Sequence, residues 1–148
     1  MDIRKILVPV DFDQGSNVAL ANAVELATKL GADLTVLHIW QMPVYGFPVV
    51  GTAIPAADLG KTVEESARQA LEKMLAQHEG KGVKLEPVLR VGVPWEQILE
   101  VANEVGADLI VMATHGRKGL PRALLGSVAE KVVRLSSVPV LTFRTGEA

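Results

Sequence analysis

The fifteen residues ATHGRKGLPRALLGS, from Ala113 to Ser127, hold three glycines and three basic side chains between two apolar stretches. Glycine lets a backbone approach a phosphate group with no Cβ in the way. A helix that begins at the end of such a segment presents unpaired N–H groups and about half an elementary positive charge. The composition of this segment therefore indicates either a sharp turn of the chain or a phosphate-binding site.

The end of this segment carries the sequence pattern of a helix start. Ser127 and Glu130 fit the S-x-x-E capping box, so we expect a helix to begin at Ser127. Two interpretations stay open: Ser127 caps its own helix, or the helix start binds an anion. Six residues separate Gly119 from Gly126, which is too many for the G-x-x-x-x-G-K-[ST] phosphate loop, and no G-x-G-x-x-G follows a strand.

Short apolar runs alternate along the chain with segments of helical spacing, which is typical of a parallel sheet with crossover helices. The predicted strands are Ile6–Val10, Leu34–Ile39, Val83–Val91, Leu109–Met112 and Val138–Phe143. We predict one α/β domain over residues 1–148, a doubly wound, mostly parallel five-stranded sheet with helices on both faces, Rossmann-like. Pro87 cannot donate to a central ladder, so the third strand should lie at the sheet edge.

Glycines and capping patterns predict where the helices begin and end. Gly31 and Gly106 stand where a left-handed glycine ends a helix. Gly31-Ala-Asp33 recurs as Gly106-Ala-Asp108, either because one helix–turn–strand unit is used twice or because such turns favour these residues. A second helix is expected from about Lys61, with Thr62 and Glu65 as its capping box.

The segment from Gln41 to Ala57 contains three prolines and no Asp, Glu, Lys or Arg. Loops of this length in compact domains are usually functional or mobile. We interpret this one as a lid over a ligand, a surface for a protein partner, or a flap packed on its own domain.

The carboxyl ends of the predicted strands are the places where an open parallel sheet binds ligands. Pro9, Val10 and Asp11 close the first strand, Ile39 follows the second, and Met112 leads into the glycine-rich segment. Asp11 has two possible roles: it contacts a ligand, or it acts as a cap or turn acid before the first helix.

Composition excludes several function classes. A net charge of −2 argues against electrostatic binding of nucleic acid. The absence of cysteine excludes a thiol nucleophile and a Cys-ligated metal, and the scattered histidines form no Ser/His/Asp or metal-ligand set. No apolar run reaches the length of a membrane span, and the first residues do not form a signal peptide. We therefore expect a soluble, cytoplasmic protein that contacts no membrane.

The motifs ILVPVDF near the start, and THGRKGLPRALLGSVAEKVV and SVPVLTF near the end, resemble the universal stress protein family. The resemblance runs from Ile6 to Phe143. In family members that bind ATP, the signature is G-x2-G-x9-G-[ST]. Gly116 matches its second glycine, Gly126 and Ser127 match its end, and Ala113 stands where the family has the first glycine.

The resemblance implies a site for ATP. Asp11 would contact the ribose, Pro9, Val10 and Ile39 would line the adenine slot, and Met112 would pack nearby. The glycine signature would hold the phosphates, with Mg²⁺ bridging them. Ala113 either obstructs the phosphates or only tightens the turn. The candidate nucleotide-binding residues are Pro9, Val10, Asp11, Ile39, Met112, Ala113, Gly116, Gly126, Ser127 and Val128.

The family also implies a homodimer formed through the last strand, Val138–Phe143. We expect a stress-response protein in which bound ATP controls dimer or partner affinity, with no enzymatic activity beyond slow ATP hydrolysis. The alternative is a dimeric interaction module that binds no nucleotide. In that case the loop from Gln41 to Ala57 would be its main partner surface.

Overall fold

A computed structural model of the chain describes residues 1–42, 56–114 and 125–144. Strands and helices alternate strictly along the chain, which confirms the predicted α/β class. In chain order the elements are β1 (Lys5–Val10), α1 (Gln14–Leu30), β2 (Asp33–Trp40), α2 (Ala56–Ala76), β3 (Leu85–Val91), α3 (Pro94–Val105), β4 (Leu109–Ala113), α4 (Ser127–Leu135) and β5 (Val140–Phe143).

The sheet has five strands in the order β3-β2-β1-β4-β5, and all neighbours are parallel. The chain builds the sheet outward from β1 to β3, then crosses back to place β4 and β5 on the other side of β1. Pro87 lies in β3, which is an edge strand, as its missing N–H predicts. The strand order reverses between β1 and β4.

Alternating side chains of the central strands supply two separate cores. In β1, Ile6 and Val8 face one layer and Leu7 faces the other, and all three are almost completely buried. Helices α1 and α2 cover the first face, and α3 and α4 cover the second. Burial on both faces explains why the strands read as continuous apolar runs in the sequence.

Two left-handed glycines end helices as predicted. Gly31 and Gly106 have φ of 67° and 66°, a region that glycine enters without steric cost. Each turn then delivers the following strand to the start of β1: the N–H of Asp33 donates to the carbonyl oxygen of Arg4, and that of Asp108 donates to the carbonyl oxygen of Lys5. The repeated sequence therefore performs the same structural task on both sides of β1.

The predicted start of α2 is wrong. The helix begins at Ala56 rather than near Lys61, so it includes the end of the segment interpreted as a loop. Thr62 lies inside the helix, and its Oγ1 donates to the carbonyl oxygen of Asp58, the bond that an interior Thr forms one turn back. Thr62 and Glu65 therefore match the capping-box pattern but lie in the interior of α2.

The last strand is shorter than predicted, because β5 begins at Val140 and not at Val138. Before it, the Oγ of Ser136 donates to the carbonyl oxygen of Val138 and accepts from the N–H of Val138. This local turn uses the backbone of Val138, which is therefore not part of the strand. The strand is an edge of the sheet, as expected.

Within the described ranges, no helix is long and apolar enough to cross a membrane. The cytoplasmic location expected from the sequence stays a prediction.

Asp108 ties the start of β1 to the turn before β4. One of its carboxylate oxygens, Oδ2, accepts from the N–H groups of Arg4 and Lys5 at 2.9 and 3.0 Å. These two bonds lower the pKa of Asp108 below its ordinary value of 3.8. The ionised side chain therefore stabilises the folded state above pH 3.8, and this stabilisation is lost as the pH falls through the folded-state pKa.

We predict that Asp108→Ala lowers the free energy of unfolding at pH 7, and that the difference from wild type narrows as the solution is acidified. Urea titrations at pH 7 and below pH 3.8 measure both quantities. Asp33→Ala is the matched control, because Asp33 holds the equivalent turn position and its carboxylate forms no hydrogen bond among the described residues. If both variants lost the same free energy of unfolding, the stabilising role assigned to the Asp108 carboxylate would be wrong.

Candidate functional site

A cavity of about 400 Å³ opens at the carboxyl end of the sheet, between β1 and β4, where the strand order reverses. This is the position at which doubly wound sheets bind ligands. Its volume lies in the range of about 300–1,000 Å³ that is usual for small-molecule sites. The lining residues are Pro9, Val10, Asp11, Ser16, Ile39, Pro94, Ile98, Met112, Ala113, Thr114, Gly126, Ser127, Val128 and Ala129.

Every candidate binding residue that the structure describes lines this cavity. Gly116 and the basic residues of the glycine-rich segment lie outside the described ranges, as does most of the loop from Gln41 to Ala57. The structure thus brings together residues that are about a hundred positions apart in the sequence. Their clustering follows from the parallel strands, whose carboxyl ends all meet at one edge of the sheet.

Sequence reasoning missed five lining residues: Ser16, Pro94, Ile98, Thr114 and Ala129. Thr114 follows β4 directly, and Pro94 and Ile98 lie in the first turns of the helix after β3. Their positions at element boundaries were visible in the sequence. Ser16 gave no such signal, because its role depends on the side chains around it.

One wall of the cavity is apolar. Val10, Ile98 and Met112 are almost fully buried and come from β1, α3 and β4. Pro9 and Ile39 add the half-buried ends of two neighbouring strands. An apolar group fits against a wall of this composition better than a charged one does, because burial of apolar surface is favourable there.

The start of α4 forms another wall. Gly126 is the N-cap and has no side chain, so Ser127 is the first residue of the helix. The predicted helix start at Ser127 is confirmed, but Ser127 is the first helical residue and not the N-cap, so the capping role predicted for its side chain is wrong. The first N–H groups of a helix have no intrahelical acceptor. Those of α4 belong to residues that line the cavity.

Two other helices that begin at this end of the sheet, α1 and α3, differ from α4. In α1 the side chain of Asp13 is the N-cap and accepts from the N–H of Ser16 at 2.8 Å. In α3 the first residue is Pro94, which has no N–H to offer. Neither Val93 before α3 nor Gly126 before α4 supplies a side-chain cap, and each helix has one acid in its first turn, Glu96 or Glu130. Because Pro94 leaves α3 with one donor fewer, α4 offers the larger set of backbone N–H groups to an anion.

Asp11 faces the cavity from the end of β1. Its Oδ1 accepts from the hydroxyl of Ser16 at 2.6 Å and from the N–H of Asp13 at 3.2 Å, and its own N–H donates to the oxygen of Ser16. Asp13, not Asp11, caps α1. Among the described residues Oδ2 of Asp11 forms no hydrogen bond, so one carboxylate oxygen is available to a ligand.

A second carboxylate adds to the negative charge beside Asp11. Burial, followed by the neighbouring Asp11 carboxyl, raises the pKa of Asp13 above its ordinary value. The carboxyl groups of Asp11 and Asp13 thus lie at the end of β1, and the first N–H groups of α4 lie across the cavity from β1. This arrangement favours a ligand with hydroxyls at one end and phosphate at the other.

Ala113, where this chain departs from the glycine signature, is the last residue of β4 and pairs with Phe143 of β5. Among the described residues, Phe12 is the non-glycine with a positive φ, so Ala113 has the extended backbone that any residue adopts. Its methyl group causes no backbone strain. Whether the methyl group of Ala113 obstructs bound phosphates is tested below by measuring ligand affinity.

The described residues contain no group of three or more His, Cys, Asp or Glu side chains that would hold a metal ion. Asp11 and Asp13 are the acids near the cavity, and both have protein donors. A Mg²⁺ ion at this site would therefore need oxygen ligands from a bound molecule.

A model of the universal stress protein family matches residues 2–144. The chain belongs to the universal stress protein family. Universal stress protein MJ0531 of Methanocaldococcus jannaschii is 35% identical, over 95% of this chain and 82% of its own length. Universal stress protein MJ0577 of the same organism is 30% identical, over 95% of this chain and 94% of its own.

Solved structures of the family share the fold. The structure of MJ0577 superposes with a TM-score of 0.84 at 28% identity, with each chain covered completely. A universal stress protein from Archaeoglobus fulgidus, solved in complex with dAMP, gives a TM-score of 0.61 at 26% identity, over 96% of this chain and 98% of that one.

Proposed function

We propose that this universal stress protein binds an adenine nucleotide, ATP, in the cavity between β1 and β4, and that the nucleotide controls its assembly in a stress response. The observation that carries the proposal is the uncapped start of α4, which faces the same cavity as an apolar slot and a carboxylate with one available oxygen. The Archaeoglobus fulgidus relative in complex with dAMP supports the choice of an adenine nucleotide.

The charges of the site set the orientation of the nucleotide. The phosphates lie at the start of α4, against Gly126, Ser127 and Val128, because the carboxylates of Asp11 and Asp13 repel them from the other end. Adenine occupies the apolar slot of Pro9, Val10, Ile39 and Met112, and the ribose hydroxyls donate to Asp11. Mg²⁺ is carried by the phosphate oxygens, and Gly116 completes the phosphate site as the family signature implies.

A chain of backbone hydrogen bonds connects the proposed phosphate site to the edge of the sheet. The N–H of Gly126 donates to the carbonyl oxygen of Thr114 at 2.7 Å, and the N–H of Thr114 donates to the carbonyl oxygen of Phe143 at 2.9 Å. A ligand that fixes the start of α4 therefore also fixes the end of β5. We propose that two copies pair through β5, and that ATP acts as a ligand with at most slow hydrolysis.

Titration of the protein with ATP and Mg²⁺ in a calorimeter tests the proposal. We expect binding to the wild type and a loss of affinity of about tenfold or more in Gly126→Asp, because a carboxylate at the helix start displaces the phosphate from donors that contribute about 0.3–2 kcal/mol. Adenosine, which has no phosphate, should bind both proteins similarly.

Ser137→Asp is the charge-matched control, since it adds the same carboxylate beyond the other end of α4, on an exposed residue. It should leave ATP affinity unchanged. A wild-type protein that binds no ATP at high micromolar concentration would contradict the nucleotide proposal and favour the alternative module that uses no nucleotide.

Ala113→Gly tests the departure from the signature. Because the backbone of Ala113 is extended, we expect the affinity for ATP to stay within about twofold or to rise, while the loss of the methyl in a strand lowers the free energy of unfolding by about 0.5–1 kcal/mol. Calorimetry and urea titration measure the two effects. A clear loss of ATP affinity would show that this methyl contributes to binding.

The proposed dimer is tested through Leu141, which is 39% exposed on the edge strand. An apolar side chain on an open edge favours pairing between chains, and an edge lysine opposes it. We expect light scattering to give twice the mass of one chain for the wild type and a shift toward the monomer for Leu141→Lys. Leu30→Lys serves as control, because Leu30 is an exposed leucine (47%) at the end of α1, away from the edge strand. A monomeric wild type would rule out the dimer.

A further inference from the structure

Phe12 follows Asp11 directly and has φ of 65°, in the left-handed region. A bulky side chain enters this region only where the surrounding structure compensates the steric cost. Residues of this kind cluster at functional sites, where they fix the direction of a neighbouring group. We therefore ask which contacts of Phe12 stabilise this backbone conformation next to Asp11.

His38, on β2, supplies those contacts. Its ring lies 4.2 Å from the ring of Phe12, measured between centroids, with a tilt of 36°. Its Nδ1 is 2.8 Å from the carbonyl oxygen of Val10. A carbonyl oxygen only accepts hydrogen bonds, so Nδ1 carries the hydrogen. One side chain thus holds the residue before Asp11 and the residue after it.

The place of this contact in the sheet is specific. Val10 and His38 are the last pair in the register between β1 and β2, so the side chain of His38 holds β1 where the backbone ladder ends. Phe12 packs its ring against the core on the α1 and α2 face, whereas Asp11 lies in the wall of the cavity. His38 itself is not part of that wall.

We propose that His38 is a positioning residue that sets the direction of the Asp11 carboxylate, and through it the recognition of the ribose hydroxyls. The inference rests on the proposed nucleotide function. His38 acts through its contacts with Val10 and Phe12, on either side of Asp11. The hydroxyl of Ser16 donates to Oδ1 of the Asp11 carboxylate, and Oδ2 is left for the ligand. Recognition of the hydroxyls therefore depends on a side chain that touches no ligand.

The test compares the affinities for ATP and for 2′,3′-dideoxy-ATP, which lacks both ribose hydroxyls, by calorimetry. In the wild type the ratio of the two affinities measures ribose recognition, and Asp11→Ala should abolish it. We expect His38→Leu to lower this ratio about tenfold, the effect of misplacing a hydrogen bond to a charged group. Its affinity for dideoxy-ATP should stay within about twofold, because the adenine and phosphate contacts are unchanged.

Two further variants separate the two contacts of His38. His38→Asn keeps an N–H donor near the carbonyl oxygen of Val10 and loses the ring, and His38→Phe keeps the ring beside Phe12 and loses the donor. Each should lower the ratio less than His38→Leu does. If His38→Leu fails to fold, these two variants decide the question by the same ratio.

His78→Leu is the matched control, since His78 lies just after α2 and is not part of the cavity wall. It should keep the wild-type ratio. Equal losses for ATP and dideoxy-ATP in the His38 variants would overturn the proposal and leave His38 a structural role. A wild-type ratio in all His38 variants, with loss in Asp11→Ala, would overturn it and leave the nucleotide function standing. A wild type that binds neither nucleotide would overturn both.

Discussion

The whole arrangement depends on one constraint of chain topology: β1 and β4 are neighbours, yet the connections that leave them go in opposite directions. After β1 the chain turns into α1 on one face of the sheet, and after β4 it passes to α4 on the other face. The starts of α1 and α4 therefore lie beside the gap between the two strand ends. The cavity is therefore a consequence of strand order, and the residues at the two strand ends must line it.

Helix caps then decide which chemistry the cavity offers. Side-chain oxygen at an N-cap and an external anion compete for the same N–H groups. The side chain of Asp13 occupies that place in α1, and Pro94 removes a donor from α3. Gly126 has no side chain with which to cap α4. The residue at each of these helix starts therefore affects how many backbone N–H groups that helix can offer to a ligand.

The sequence predicted the architecture from patterns that extend over whole elements, and the candidate residues that the structure describes line one cavity, while their role in binding stays a prediction. Continuous apolar runs, left-handed glycines and the rule for strand ends identified the sheet, the helix ends and the cavity wall. The S/T-x-x-E pattern was misleading at Thr62, which lies in a helix interior, and at Ser127 it predicted the helix start correctly but not the N-cap, which is Gly126. The role of His38 was invisible for another reason: its partners Phe12 and Val10 are joined to it only by the pairing of β1 with β2.

The backbone conformation at Ala113 shows how much the replacement of the first signature glycine matters. A glycine is indispensable where φ is positive or where a side chain would block a ligand. Ala113 is an extended strand residue paired with Phe143, so its backbone imposes no such need. At Gly126 the requirement comes from capping: Ser, Thr, Asn or Asp would form a better cap and thereby use the donors of α4. A side-chain cap would stabilise the helix but occupy these donors, whereas glycine leaves them available to the anion that we propose binds there.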